Sequence, residues 1–544
     1  MTKNESQEAR RTMWILGSVL LLGLILRVCP LENLTRGSFE FGEGYLMANA
    51  AAPFSQIKNE ILPEEAPLKY YFLHPLLYFG RSEFLVRLPA LFFDLASILM
   101  LFFLGKLLFD KKTALLASFF LSISLWHIHH ATMARNYPLY AFSVLASTFF
   151  LYRAAQGSGF RNWFFWGVAA AFGYYSFYPS VFILAAQLCW FFLYYGRRAD
   201  LIKRLLLSLG LFSMMVAPSV SRLVVAFNRK ANFRTGHWGL QGHEIWEALR
   251  DHFGGVAGPL PLGIFIFVLS LVWLIHFQKK KRQALLLLIL IVVPICCYIF
   301  CVYVFRISVM PRQFLHIYPF FLLVAAAGIM SWPHWTARLS GIFVFVLPWL
   351  FYGFSLGGFK TSGFIPFDYR RHYVDFSAVR SLIEQNYNDL DFVVVDPWPP
   401  IFSIQYYFDK NNNSPVVIGE DAEERGELYA KYSNSRITLY GVSDNLSLLK
   451  DLAAAGRLLV IDASWVIKIK DRYENSDAIT AWLKANAYRS EHKYSADFYF
   501  ISPPPQISQG DKASLDNARQ RLAQRLKTSN SLIYPFNRKK TNSL

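Results

Sequence analysis

Charged residues are scarce in this chain: Asp, Glu, Lys and Arg make up 17% of 544 residues, where soluble domains carry about 25%. Cysteine is scarcer, five in all, and residues 302–544 contain none. Cys29, Cys189, Cys296, Cys297 and Cys301 all lie in or beside apolar runs, so neither a disulfide framework nor a cysteine-based zinc site follows. A glycine-rich phosphate loop is missing too. VVVDPWPP (393–400) follows an apolar run without one, which excludes a Rossmann-type cofactor site there. There is no internal repeat and no low-complexity array. No small-residue cleavage site follows the first apolar run at RVCPLENL (27–34), so that run reads as a retained anchor rather than a signal peptide.

What is present is apolar and aromatic. Hydrophobic residues reach 54%, with 50 Phe, 29 Tyr and 14 Trp, and they come in blocks such as LLLLILIVVPICCYIF (285–300). A spanning helix needs about 20 mostly apolar residues. By that criterion the chain offers eleven spans, near 13–29, 84–109, 113–131, 138–154, 162–177, 179–196, 205–225, 259–277, 284–304, 314–331 and 339–357. The pattern is that of a polytopic α-helical membrane protein. The net charge of +18 needs no nucleic acid to explain it, because much of the excess sits in short loops between spans. With the N-terminus inside, the inner segments hold Arg10 and Arg11; Lys106, Lys111 and Lys112; Arg153 and Arg161; Arg197, Arg198, Lys203 and Arg204; Lys279–Arg282; and Arg338. Positive residues mark the cytoplasmic side. This register is N-in and C-out, with residues 30–83, 226–258 and everything after about 358 outside.

The composition changes after residue 357. Short apolar runs FVVVD (392–396), PVVIG (415–419), RITLYG (436–441), RLLVID (457–462) and FYFIS (498–502) alternate with helical patterns at 376–387 and 445–456. That alternation predicts an extracytoplasmic α/β domain over 358–502, after a transmembrane module over 1–357. Residues 503–544 are polar and basic and read as a helix plus a flexible tail, with anionic lipid headgroups or plain solvation as its two uses. Within the membrane part, an ionised Asp94 is expensive about 15 Å into its helix, so it faces a cavity or pairs with an arginine, and the structural ion pair is the preferred reading.

The first outer loop (30–83) is where chemistry is expected. It carries Glu32, Glu40, Glu43, Glu60, Glu64 and Glu65 among Lys58, Lys69 and Arg81, and FGEGYLMANAA (41–51) and PLKYYFLHPLLYF (67–79) read as interfacial helices. Loops of this length are functional or disordered, and the bland alternative for any one acid is a solvated face.

Three segments carry a resemblance: EGYLMA (43–48), APLKYYFLHPLLYFGRSEFLVRLPALFFD (66–94) and SLWHIHHATMARNYPLY (124–140). Together with PRQFLHIYPFFLLVAAAGI (311–329), their order and spacing resemble the membrane glycosyltransferases of the C-type fold. The nearest group is that related to dolichyl-phosphate-mannose–protein mannosyltransferases and bacterial aminoarabinose transferases. The resemblance covers about 13–357 and implies inverting transfer of a sugar from a polyprenyl-phosphate donor to a lipid, protein or polysaccharide acceptor on the outer face. It implies a catalytic carboxylate at Glu43, assisted by Glu40, to take the acceptor's proton. Lys69, Arg87, Arg135 and Arg312 would meet the lipid phosphate and sugar, with His127, Tyr45 and Tyr137 completing the pocket. Membrane lipids are partners and nucleic acid is not.

Two positions depart from the family pattern. Gly42 stands where the first acid of a pair is usual. Met133 stands where relatives place an acid that helps hold a divalent cation or orient the acceptor. His129 and His130 in HIHH could supply cation ligands for Mg or Mn instead, against the simpler reading that they cap a helix end. No nucleotide or organic cofactor is expected. The rival readings are a transporter or flippase of lipid-linked glycans, which repeat symmetry and broken mid-membrane helices would mark, and a catalytically degenerate scaffold.

Overall fold

The computed structural model describes residues 3–28, 41–61, 65–157, 159–232, 260–276, 280–305, 311–356, 376–387, 390–396, 401–408, 416–419, 429–433, 437–441, 446–462, 476–493, 496–501 and 532–533. Two compact units interleave in sequence. The first comprises Met1–Leu34, Leu62–Phe72 and Arg87–Asp368, and the second Thr35–Ile61, Leu73–Val86 and Tyr369–Leu544. The outer loop expected at 30–83 is therefore shared between them.

Among the described residues the first unit is all helix. Its elements are α1 (Lys3–Val28), α4 (Leu68–Leu73) up to Phe72, the long helix α5 (Glu83–Leu108) from Arg87 onward, α6 (Lys111–Ser122), α7 (Leu125–Ala131), α8 (Tyr137–Ala155), α9 (Phe160–Ser176) and α10 (Ser180–Tyr195). They continue with α11 (Ala199–Asn232), α12 (Leu260–His276), α13 (Lys281–Phe305), α14 (Tyr318–Ser331) and α15 (Trp335–Leu356). Among the described residues, four stretches are long and apolar enough to cross a membrane: Ser6–Val28, Glu83–Leu108, Ala199–Val225 and Lys281–Cys301. Their outward faces carry exposed apolar side chains such as Phe92, Phe103, Met214 and Phe300, as lipid contact requires. Helix α14 is buried on every side from Tyr318 to Ile329 and packs against α6 and α12; a helix apolar all round belongs in the middle of a bundle. At Gly105 an added Cβ would lie 3.0 Å from the Ala114 Cα and the Leu323 side chain, so α5, α6 and α14 meet closely there and a side chain would force its neighbours to shift.

The expected span at 113–131 is not one helix. It breaks after Ser122 and restarts as α7, whose N-cap Ser124 accepts a hydrogen bond from the His127 amide at 3.3 Å. The continuous apolar pattern concealed this break. The first helix begins ten residues earlier than the expected span, and α11 runs seven residues beyond it, to Asn232.

The second unit holds α2 (Phe41–Ala50), α3 (Ile57–Glu60), a 3₁₀ turn at His74–Tyr78, the first turn of α5, α16 (Phe376–Asn386), α17 (Ile401–Phe408), α18 (Leu446–Ala455) and α19 (Ser476–Asn486). Among the described residues, eight strands form one mixed sheet: β1 (Phe392–Asp396), β2 (Val416–Gly419), β3 (Tyr429–Ser433), β4 (Thr438–Gly441), β5 (Leu458–Asp462), β6 (Arg489–Lys493), β7 (Ala496–Ile501) and β8 (Leu532–Ile533). Their order is β6-β7-β5-β1-β4-β3-β2-β8. Only β1 is parallel to its neighbours β4 and β5, and the other pairs are antiparallel. Central strands buried on both faces read as unbroken apolar runs; β5 is buried at every residue and β1 throughout Phe392–Val395.

Candidate active site

In the first unit the buried polar centre is a triad. Asp94, Arg27 and His127 are all fully enclosed. Arg27 Nε donates to Asp94 Oδ2 at 2.5 Å, and its Nη1 donates to the Gly23 and Ser122 carbonyls at 2.9 and 2.8 Å. On the other side, His127 Nδ1 lies 2.8 Å from Asp94 Oδ1. The structural ion pair expected for Asp94 is present, and Arg27 is its arginine. Isolated burial of either charge would be prohibitive, so the three helices that supply them, α1, α5 and α7, are tied together at this point. The His127 ring lies 6.1 Å from the Tyr318 ring in a stacked arrangement.

Arg87 is fully buried and stands seven residues before Asp94, two turns up one face of α5. Past the triad, α7 leads to half-buried Arg135 and to Tyr137, the first residue of α8, whose ring lies 5.2 Å from that of His130. His316, fully buried, sits 4.6 Å from the Tyr140 ring. Neither Arg27 nor His316 stands out in the sequence. Arg27 looked like one more charge closing an anchor helix, although an ionisable side chain within an apolar run is itself a signal. Lys69 is held in an ion pair with Glu65 one turn earlier, with its ammonium 5.1 Å from the Tyr70 ring. Arg312 falls in a 3₁₀ turn at Pro311–Phe314, and its side chain lies outside the described residues.

In the second unit, Glu43 is in the first turn of α2, where the helix dipole favours a carboxylate. It is fully enclosed, and Tyr45 is half-buried. Glu40 lies outside the described residues. Glu43 and Tyr45 thus belong to one unit, and Lys69, Arg87, His127, Arg135 and Tyr137 to the other.

The His129 and His130 rings are neighbours at 5.2 Å. Among the described residues, no group of three or more His, Cys, Asp or Glu side chains is placed to hold a metal ion. Two imidazoles are fewer donors than a bound cation takes, so this pair does not by itself fit a cation.

The helical unit has the fold of the C-type membrane glycosyltransferases. Residues 64–221 match the family model described as dolichyl-phosphate-mannose-protein mannosyltransferase. That segment takes in Lys69, Arg87, His127, Arg135 and Tyr137, while Glu43 and Arg312 lie outside it. The chain resembles apo ArnT from Cupriavidus metallidurans, with a TM-score of 0.55 at 11% identity, over 92% of this chain and 100% of that one. It also resembles the oligosaccharyltransferase AglB from Archaeoglobus fulgidus in complex with an inhibitory peptide and a dolichol-phosphate, with a TM-score of 0.52 at 11% identity, over 92% and 75%. No curated protein matches the chain by sequence.

Proposed function

We propose that the protein is a glycosyltransferase that moves a sugar from a polyprenyl-phosphate donor to a lipid, protein or polysaccharide acceptor at the outer membrane face, with inversion. The observation that carries this reading is the match of residues 64–221 to the mannosyltransferase family, in a chain of the same fold as ArnT and AglB. The basic inner loops support eleven spans with the N-terminus in the cytoplasm and the C-terminal unit outside. The lack of disulfide cysteines in the C-terminal half favours a bacterial inner membrane.

The chemistry assigns the residues. Attack on the anomeric carbon by an acceptor hydroxyl or amine forms one bond as the bond from that carbon to the phosphate oxygen breaks. Glu43 takes the acceptor proton, with Glu40 assisting. The departing lipid phosphate gains charge, which Arg87, Arg135, Lys69 and Arg312 stabilise. Arg87 is suited to this because it is wholly desolvated, where electrostatic contacts are strongest. Tyr45, Tyr137 and His127 are the further substrate contacts that the family resemblance implies.

The test is Glu43→Gln in membranes supplied with undecaprenyl-phosphate-linked sugars, with transfer followed by mass spectrometry of consumed lipid-linked sugar and of modified acceptor. Loss of at least 10²-fold in turnover is expected for removal of a general base. Full activity would remove Glu43 from the mechanism, and movement of lipid-linked sugar across the bilayer without transfer would favour the transporter.

A further inference from the structure

Helix α2, which carries Glu43, is a short outer segment that the chain leaves more than 300 residues before it builds its C-terminal sheet. The two nevertheless belong to one compact unit, and their junction is α17. This helix packs directly against α2. Its sequence IFSIQYYF is buried almost from end to end. Ile401 and Ile404 are fully enclosed, as are the polar Ser403 and Gln405, and on α2 Glu43, Leu46 and Met47 are enclosed as well.

The last two tyrosines of α17 reach the segment that closes the outer loop. The Tyr406 hydroxyl donates to the Arg81 carbonyl, and the Tyr407 hydroxyl donates to Glu83 Oε1 at 3.1 Å. The other end of that segment returns to the acid helix, where His74 Nδ1 donates to the Ala50 carbonyl at the C-terminus of α2, at 2.8 Å. Phe54 packs edge-on against the same imidazole. Helix α17 is itself pinned from behind: Arg380 of α16 donates to the Tyr407 carbonyl at 2.7 Å, pairs with Glu384 at 2.9 Å, and lies over the Phe408 ring.

We propose that α17, through Tyr406 and Tyr407, is the positioning element for Glu43, so that the C-terminal sheet acts as the mount of the catalytic acid. This rests on the reading of Glu43 as the base. A carboxylate base must sit within hydrogen-bond reach of the proton it takes, and small misplacements of such a group cost large factors in rate. A ten-residue helix in an outer loop has little intrinsic stability. Its orientation must come from what it packs on, and here that is α17, which two hydroxyls in turn tie to the 81–83 segment.

The test compares wild type, Glu43→Gln, Tyr406→Phe/Tyr407→Phe and Glu83→Gln, all as full-length protein in membranes with undecaprenyl-phosphate-linked sugars. The phenylalanine pair keeps the packing and removes only the two hydroxyl donors. Expected for that pair is a fall in turnover of about tenfold, the order two hydrogen bonds carry, with the donor concentration for half-maximal rate unchanged. Hydrogen exchange of 43–50 should rise, with that of β5–β7 unaltered. Glu83→Gln, which keeps an acceptor for Tyr407, should retain most of the activity. Unaltered exchange at 43–50, or raised exchange with full turnover, would overturn the positioning role while leaving the base assignment intact. Full activity in Glu43→Gln would instead sink the base assignment and this inference with it.

Discussion

Asp94→Asn is the most telling perturbation of the membrane unit. The wild-type carboxylate meets a guanidinium at 2.5 Å and an imidazole nitrogen at 2.8 Å, and none of the three side chains is exposed. Asparagine is nearly isosteric, so the change removes charge without opening a cavity. Arg27 keeps the Gly23 and Ser122 carbonyls but loses its only counter-charge among the described residues. Breaking a buried pair by removing one partner costs about 3–5 kcal/mol. At about 1.4 kcal/mol per decade, that is a loss of about two to three and a half decades in the folding equilibrium. Replacing both charges, Arg27→Met with Asp94→Leu, leaves no uncompensated ion and should recover at least half of the loss. The remainder is the His127 Nδ1 donor left without its acceptor, with the Ser122 carbonyl losing its Arg27 donor, about 1–3 kcal/mol. Thermal unfolding of purified protein in lipid nanodiscs, read by intrinsic tryptophan fluorescence, measures all of these. Asp94→Asn within about 0.5 kcal/mol of wild type, or a double variant as unstable as the single, would refute the argument, since either result means the charges are not enclosed together.

Two further outcomes follow from local geometry. Gly105→Ala should destabilise the protein by about 1–3 kcal/mol, because its methyl would crowd the Ala114 backbone and the Leu323 side chain at 3.0 Å; Gly17→Ala, with nothing within 4 Å, should be neutral or slightly stabilising in the same unfolding assay. In the C-terminal sheet, burial first and then Asp497 and Asp462 push the Tyr499 phenol up to about 12. Its proton is held more tightly in the folded chain than in the unfolded one, so its contribution is intact below pH 10 and is lost as pH rises from 10 through 12. Hydrogen exchange of β5–β7 should accelerate over that window by less in Tyr499→Phe than in wild type, and equal acceleration in both would refute the assignment.

Much of the helical architecture was legible because bilayer-length apolar runs separated by basic loops leave few alternatives. Strands β1 and β5 were legible for a related reason, since FVVVD and LLVID are apolar on both faces. Strands β3 and β6 were not. YAKYS and RSEHK carry no apolar run, and RSEHK forms the edge of the sheet, where charged side chains guard against unwanted pairing. The carboxylate at Glu43 was singled out by the family resemblance of EGYLMA, since the interfacial pattern alone did not separate it from the other acids of the loop. That α17 packs against its helix could not, because nothing local to IFSIQYYF points to a partner more than 350 residues earlier. Asp94 announced a partner by its cost, yet the arginine it pairs with was hidden at the end of an anchor helix, where basic residues are ordinary.

The break between α6 and α7 shows how a motif spacing becomes geometry. A helix end leaves its last carbonyls without partners, and in an apolar bundle no water replaces them. Arg27 answers this at α6 by donating to the Ser122 carbonyl at 2.8 Å, so the same guanidinium that neutralises Asp94 also lets the chain stop being helical there. Two residues later Ser124 opens α7 by accepting from the His127 amide. The three-residue step from Ser124 to His127 then turns the imidazole toward Asp94 Oδ1. Each part of this junction depends on the others. Without Arg27 the end of α6 is unsatisfied, without Asp94 the guanidinium is unpaired, and without the Ser124 cap the imidazole loses the helix that aims it. The spacing of serine and histidine in this stretch is therefore a folding requirement first. It sets the direction in which α7 delivers the chain to Arg135 and Tyr137.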